Sequence, residues 1–509
     1  MDKYSAVIDM GSNSVRLVIY YETAEGTSYE VDNIKNTIRL STFLNEHNEI
    51  IEPGIKEVLR VLTQYRQLCE ARKVSSVIGV ATAAVRKAIN KEELLTRIYE
   101  TTGFTFRVLS GEEEAYYGYL AVVNTMSVSE GFTIDIGGAS SELVKFADRK
   151  LVESYSFPFG AVTLAKQFFR NGIPTDAELV SLEKYLKEQF LAHPWIKEKK
   201  YSLIGMGGSA RNLAKVHQKM MRYPFASLHN YHMKKYHVDT VFHYLKELSP
   251  TQMQGVEGLS KERADIIVPG IYIIKVLLEC IGSERFIVSN KGLRDGVHME
   301  SRLKAKNLTL LDDVVEEGIY ALMVNYKVNQ VHARHVDNLS CTLFEQLAKE
   351  GLHSYGPEEK RLVSVAARLH DIGRMINIGE WNQHTFYLMV NVFLPGLTHK
   401  QRLLAALIAS YKGSKRMQRL VAPYESMVSE ADLQMVEQLG LLLLMARALD
   451  RTESQQISDV KLLCSDGVVV LYCWGRVNEQ SLEAQTLEEH KKKFRKQFGL
   501  PLRLEWKSK

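Results

Sequence analysis

Apolar and polar positions follow two different rhythms along this chain. In residues 52–72 the apolar positions Ile55, Val58, Leu59, Leu62, Tyr65 and Leu68 recur at helical spacing. Residues 5–21 read as two strands, Ala6-Val7-Ile8 and Val15 with Leu17-Val18-Ile19, joined by the polar loop Asp9-Met10-Gly11-Ser12-Asn13-Ser14. A short strand over Val77–Ala81 follows, then a helical stretch from Thr82 through Arg86 and a helix over 91–102. Phe106–Leu109 reads as a strand, and Ser110 opens a helix from Gly111 to about Val123. Strands alternating with helices predict an α/β layered domain. From about residue 305 strand signals vanish, and amphipathic helices dominate to about 450. The tail, 458–509, reads as a small α/β appendage: a strand at Val468–Tyr472, a basic helix and a last strand "LRLEWK".

The stretch "FTIDIGGASSELVKF" (132–146) repeats the opening one. Asp135 falls on Asp9, Gly137 on Gly11, Ser140 on Ser14 and Leu143-Val144 on Leu17-Val18. One motif used twice implies two similar α/β halves. A third glycine loop, Gly205-Met206-Gly207-Gly208-Ser209, follows a strand, with a helix expected from Ala210. Residues 262–281 read as a long apolar helix, and Phe286-Ile287-Val288 as a strand leading into "SNKGLRDGVHMESRLK".

Composition narrows the class. The 509 residues allow roughly three or four domains. With 45% hydrophobic and 25% charged residues, sizeable cores can form, and disorder is excluded as the main state. The net charge of +5 suits an anionic ligand without requiring one. The five cysteines, 69, 280, 341, 464 and 473, contain no C-x-x-C, which argues against a disulfide framework or zinc ribbon and for a reducing compartment. No leader pattern is seen, and the apolar run Leu439–Ala446 is too short to cross a bilayer, so a cytoplasmic protein away from membranes is expected.

The loops carry chemistry. Each repeated loop offers backbone N–H groups and hydroxyls around a glycine, which suits phosphate oxygens, and each places an acid at a strand end. Two such loops across a cleft would grip an oligophosphate and a metal, since Mg²⁺ favours one or two carboxylates plus phosphates. The bland alternative is two structural hairpins in which Asp caps a turn. In "SGEEEAYYGY", Glu112, Glu113 and Glu114 lie in the first turn of a helix, where acids complement the dipole. Three in a row point in three directions, so one or two at most face a cleft, and one could serve as a general base. Arg86 follows a strand in "VATAAVRKAIN" and could grip phosphate or merely sit on a solvated helix face.

In order and spacing, AVIDMGSNSVRL, VATAAVRKAIN, SGEEEAYYGY, TIDIGGASSEL, GMGGSARNLA and SNKGLRDGV resemble the exopolyphosphatase/guanosine pentaphosphatase (Ppx/GppA) phosphatase family over residues 1 to about 303. The resemblance implies two actin-like (ribonuclease H-like) lobes, 1–125 and 126–303, then an all-α HD-like domain, 304–452, and a small C-terminal α/β domain, 453–509. It implies that Glu114 is the base activating water and that Arg86 grips phosphate. Gly11, Ser12, Asn13 and Ser14 match the first phosphate loop, Gly137, Gly138 and Ser140 the second, and Gly207, Gly208 and Ser209 the third. Asp135 is implied near Mg²⁺, with Glu142 and Asp9 as further candidate carboxylates, and a monovalent cation is compatible. Ala139 stands where the family usually has a third glycine.

The helical region departs further from its pattern. His332 and His370-Asp371 match three HD ligands, but Arg447 stands where the last Asp is expected, and Asn382 and Lys412 replace histidines while His384 remains. A cation at the ligand position argues against a bound metal there. A degenerate HD fold with a structural or substrate-guiding duty is therefore expected. Lys412, Lys415, Arg416 and Arg419 form a candidate polyphosphate track, with a solvated basic loop as the alternative. The function implied is an exopolyphosphatase acting on inorganic polyphosphate. Its alternatives are pppGpp 5′-phosphohydrolysis, a non-catalytic nucleotide-binding regulator, or a kinase of the same superfamily. A homodimer, and no nucleic-acid partner, are expected from the resemblance.

Overall fold

The computed structural model describes residues 2–170, 174–197 and 201–508. The chain divides into two compact units, one of residues 1–223 and 227–314, the other of 224–226 and 315–509.

The first unit holds two sheets built on one plan. Strands β1 (Lys3–Met10), β2 (Ser14–Glu22), β3 (Ser28–Thr37), β4 (Val74–Ala81) and β5 (Phe106–Val108) lie in the order β3-β2-β1-β4-β5. Strands β6 (Gly131–Ile136), β7 (Ser141–Ala147), β8 (Lys150–Phe157), β9 (Leu203–Met206), β10 (Tyr231–Lys234) and β11 (Arg285–Val288) lie in the order β10-β11-β9-β6-β7-β8. In each, an antiparallel hairpin, β1–β2 or β6–β7, pairs through its first strand with a parallel neighbour, β4 or β9. The two sheets are the two similar α/β halves that the internal repeat implies, with the actin-like, ribonuclease H-like plan that the resemblance implies. The parallel pairs need crossovers, and the amphipathic helix Glu52–Ala71 supplies the first. Its buried face, Ile55, Val58, Val61, Leu62 and Tyr65, covers one side of the first sheet, each large side chain contributing about 1.5–3 kcal/mol. The Tyr65 hydroxyl donates to the Val15 carbonyl at 2.9 Å, so this polar tip is satisfied inside the core.

Ser110 ends β5's connection as an N-cap. Its hydroxyl accepts from Glu113 N–H and the Glu113 carboxylate accepts from Ser110 N–H, a reciprocal box worth about 1 kcal/mol. This fixes where the helix Gly111–Val123 starts and hence where Glu114 points. The helix Leu293–Ala305 lies against it so closely that a Cβ on Gly296 would sit 2.0 Å from the Tyr117 carbonyl oxygen. The third glycine loop is shorter than expected: the helix begins at Gly207 rather than Ala210. The apolar helix likewise starts at Ile267, after a short 3₁₀ turn at Lys261–Arg263.

The second unit packs helices Gln330–Lys349, Pro357–Leu369, Trp381–Asn391, His399–Ala409, Ser414–Val421 and Glu430–Leu449. The run Leu439–Ala446 is buried within the last of these except for half-buried Leu444, and among the described residues no helix is long and apolar enough to cross a membrane. Strands β12 (Ile457–Ser465), β13 (Val468–Gly475) and β14 (Leu502–Ser508) form a small sheet, with helices Leu482–Glu488 and Lys491–Phe498 between β13 and β14.

Candidate active site

The two hairpins match residue for residue in their pairing. Asp9 lies opposite Arg16, and Asp135 lies opposite Glu142. In the first turn Gly11 N–H donates to the Ser14 carbonyl at 3.0 Å; in the second, Gly137 N–H donates to the Ser140 carbonyl at 2.9 Å. The carbonyls of Ser12 and Asn13 accept from Ser41 and from Ile38 and Arg39 N–H. The carbonyls of Gly137 and Gly138 accept from Ala161 and from Val162 and Thr163 N–H. Among the described residues, the N–H groups of Ser12, Asn13, Gly138 and Ala139 have no protein acceptor. The loops are thus held by their acceptors, which leaves donors for an anion. The third loop starts the helix Gly207–Met220, whose first N–H groups lack intrahelical partners by construction. Ser209 is buried against Gly270, and its Oγ has no partner among the described residues.

Glu114 and Arg86 meet. Arg86 Nη1 donates to the Glu114 carboxylate and, at 2.6 Å, to the Leu109 carbonyl. The neighbouring acids have other employment: Glu113 caps the helix and faces Arg107 at 3.4 Å, and Glu112 is exposed. Burial pushes the Glu114 carboxyl up to about 7 against the pull of Arg86, with Asp9 and Asp135 adding repulsion. Glu142, 5% exposed, is raised as well, first by burial and then by Glu114; Ser156 Oγ donates to it at 3.0 Å. Asp135 is also raised by burial, with Arg211, Arg294 and Arg263 opposing. Four carboxylates therefore converge from both halves: Asp9, Glu114, Asp135 and Glu142. Asp9 is paired with Arg294 Nη1 at 2.7 Å, whereas Asp135 has no ion-pair partner among the described residues.

Three cations in this site escape a reading of motifs. Arg16 is the register counterpart of Glu142, so the repeat itself could have exposed it. Arg211 lies just inside the helix after the third glycine loop. Arg263, in the 3₁₀ turn, lays its guanidinium where a Cβ on Gly208 would sit, 2.0 Å from its Cζ. Burial lowers the affinity of Arg16, Arg211 and Arg263 for their protons, Arg211 to about 10. Among the described residues none of the three has a carboxylate at ion-pair distance, and such half-buried guanidinium groups favour an incoming anion.

In the second unit, His332, His370 and Asp371 come together, with Arg447 Nη2 3.3 Å from an Asp371 oxygen and over the Trp381 ring at 4.1 Å. Lys412 also lies on Trp381, at 4.9 Å. Lys415, Arg416 and Arg419 are exposed on the helix Ser414–Val421.

Residues 18–305 match the model of the Ppx/GppA phosphatase family, and residues 314–495 match domain III of that family. The guanosine-5'-triphosphate,3'-diphosphate pyrophosphatases of Vibrio vulnificus and Photobacterium profundum are each 26% identical, over 79% and 80% of both chains respectively. The crystal structure of the Aquifex aeolicus Ppx/GppA family member is 30% identical with a TM-score of 0.55, covering 60% of this chain and 99% of that one. An exopolyphosphatase from Cytophaga hutchinsonii, 23% identical with a TM-score of 0.55 over 60% of this chain and 99% of its own, shares the fold.

Proposed function

Since the chain belongs to the Ppx/GppA phosphatase family, we propose that it is an exopolyphosphatase, removing the terminal phosphate of inorganic polyphosphate by attack of water. The observation that carries the reading is the raised, largely buried Glu114 set among phosphate-loop donors and unpaired arginines. Glu114 takes the proton from the attacking water, and Arg86 holds that carboxylate in place. The free N–H groups of Ser12, Asn13, Gly138 and Ala139, with Arg16, Arg211 and Arg263, bind the phosphoryl oxygens. The bridging P–O bond breaks, orthophosphate is released and a chain one unit shorter remains.

Asp135, with Glu142 and Asp9, would hold a divalent cation. The fit rests on hard oxygen donors that repel one another and on Asp135 lacking any cationic partner at ion-pair distance among the described residues. Mg²⁺ bound there supplies charge neutralisation for the transferred phosphoryl group. A cytoplasmic location accords with this substrate.

Polyphosphate as the polymer is supported by the second unit's surface. Lys412, Lys415, Arg416 and Arg419 are joined by exposed Lys492, Lys493, Arg495 and Lys496, and Lys493 Nζ donates to the Lys412 carbonyl at 3.4 Å. Among the described residues none of these cations has a carboxylate at ion-pair distance. The second reading, pppGpp 5′-phosphohydrolysis, is favoured by the names of the two Vibrio and Photobacterium relatives. Phosphate release from long polyphosphate and from pppGpp, assayed side by side, distinguishes them. Faster kcat/KM on polyphosphate is expected, with affinity for the long chain falling more steeply with salt than affinity for pppGpp. A preference for pppGpp with equal salt slopes would replace the first reading with the second.

The pH profile follows from Glu114. A base must be ionised, and burial raises this one to about 7. Activity is therefore expected to fall as pH drops through about 7, not through the ordinary carboxylate range. An acid limb of kcat/KM confined below pH 5, which is roughly where an unperturbed Glu titrates, would remove Glu114 from the role.

A further inference from the structure

We infer that Asn212 is a positioning residue for Arg263: its side-chain amide sets the turn that carries Arg263, so that the guanidinium is delivered to the third glycine loop. The inference rests on the phosphatase reading, in which Arg263 binds a phosphoryl oxygen.

Residues 258–263 run along one face of the helix Gly207–Met220, from its middle to its first turn. Gly258, with φ of +90°, passes so close that a Cβ there would lie 2.7 Å from the Lys215 carbonyl oxygen. Ser260 N–H donates to Asn212 Oδ1 at 2.8 Å. Arg263 then lays its guanidinium on Gly208, where a Cβ would sit 2.0 Å from Cζ. Lys215, Asn212 and Gly208 share one helix face and step down it by about 5.4 Å per turn. The segment thus follows that face to the helix start, where Arg263 comes within the field of Asp135.

Asn212 is 8% exposed, and both ends of its amide are used. Nδ2 donates to the Gly208 carbonyl at 2.8 Å, which leaves Oδ1 to accept from Ser260 N–H. The first bond is the local back-bond that an asparagine in a helix can make. The second joins residues 48 apart in the chain. Ser260 is the N-cap of the turn Lys261–Arg263, and its carbonyl accepts from Arg263 N–H at 2.9 Å. One amide therefore ties Gly208, the floor under the guanidinium, to the cap of the turn from which that guanidinium comes. The pair of Glu262 with Lys35 Nζ at 2.6 Å is partly exposed and holds the same turn weakly. Fixing the backbone of Arg263 lowers the freedom its long side chain loses on gripping an anion.

The test is a double-mutant cycle on the full-length chain. It is read by calorimetric binding of tripolyphosphate without divalent metal, and by kcat/KM for phosphate release from polyphosphate with Mg²⁺. Arg263→Gln and Asn212→Ala are each expected to weaken tripolyphosphate binding by about tenfold, the scale of one charge-assisted hydrogen bond. In the double variant the loss stays within about twofold of that in Arg263→Gln alone, since an absent guanidinium cannot be misplaced. Circular dichroism checks folding. Should Asn212→Ala unfold, Ser260→Pro removes the N–H from the other side, its φ of −75° being one that proline adopts, and reads the same coupled loss. Losses that multiply in the double variant would overturn the role, as would parental affinity in Arg263→Gln or in a folded Asn212→Ala protein. Coupled binding losses in a protein that releases no phosphate from polyphosphate would count against the reaction and leave the positioning in place.

Discussion

In Glu114→Gln, phosphate release from polyphosphate falls by about 10²–10⁴-fold, while polyphosphate binding stays close to that of the parent. Glutamine keeps the size of the side chain and one oxygen able to accept from Arg86, and Arg86 keeps its bond to the Leu109 carbonyl. What is lost is the ability to take a proton. Because Glu114 is largely buried and repelled by Asp9 and Asp135, removing its charge relieves strain in the ligand-free protein. The melting temperature should hold or rise. Turnover on single-turnover mixing, affinity for polyphosphate and thermal midpoint together separate lost chemistry from lost folding. A Glu114→Gln protein that turns over at the parental rate would sink the assignment of the base.

Gly207→Ala is expected to lower turnover by roughly 10²-fold, the scale of a misplacement of about 1 Å, and to raise the Mg²⁺ concentration for half-maximal activity. Two effects act together. Gly207 has φ of +74°, and a Cβ there would lie 2.2 Å from an Asp135 carboxylate oxygen. The backbone conformation alone costs stability of about 1 kcal/mol or more for an alanine. The contact is the larger matter, since the carboxylate must move. Gly292 offers the control: a Cβ there would sit 4.0 Å from the other Asp135 oxygen, in ordinary contact, and Gly292→Ala should keep a near-parental Mg²⁺ dependence. Equal Mg²⁺ titrations for Gly207→Ala and the parent would mean that Asp135 does not serve the metal.

The two hairpins were legible because their information is local. An acid, a glycine two residues on and a serine three beyond it sit within one turn, and the pairing Asp9–Arg16 against Asp135–Glu142 follows from that spacing. The edge strands β3 and β8 were not, since their exposed polar faces break the alternation that marks a half-buried strand. Nor were Arg211 and Arg263, which reach Asp135 from two remote segments. Nothing in the neighbours of an arginine says which distant acid it will face.

The pairing of Arg16 with the place held by Glu142 has one more consequence. The two halves are alike in backbone and opposite in charge at the same address. A clamp with identical arms would receive a phosphate chain in either sense. This one has a positive arm and a negative arm, so the molecule carries a built-in heading: whatever enters is read from one end.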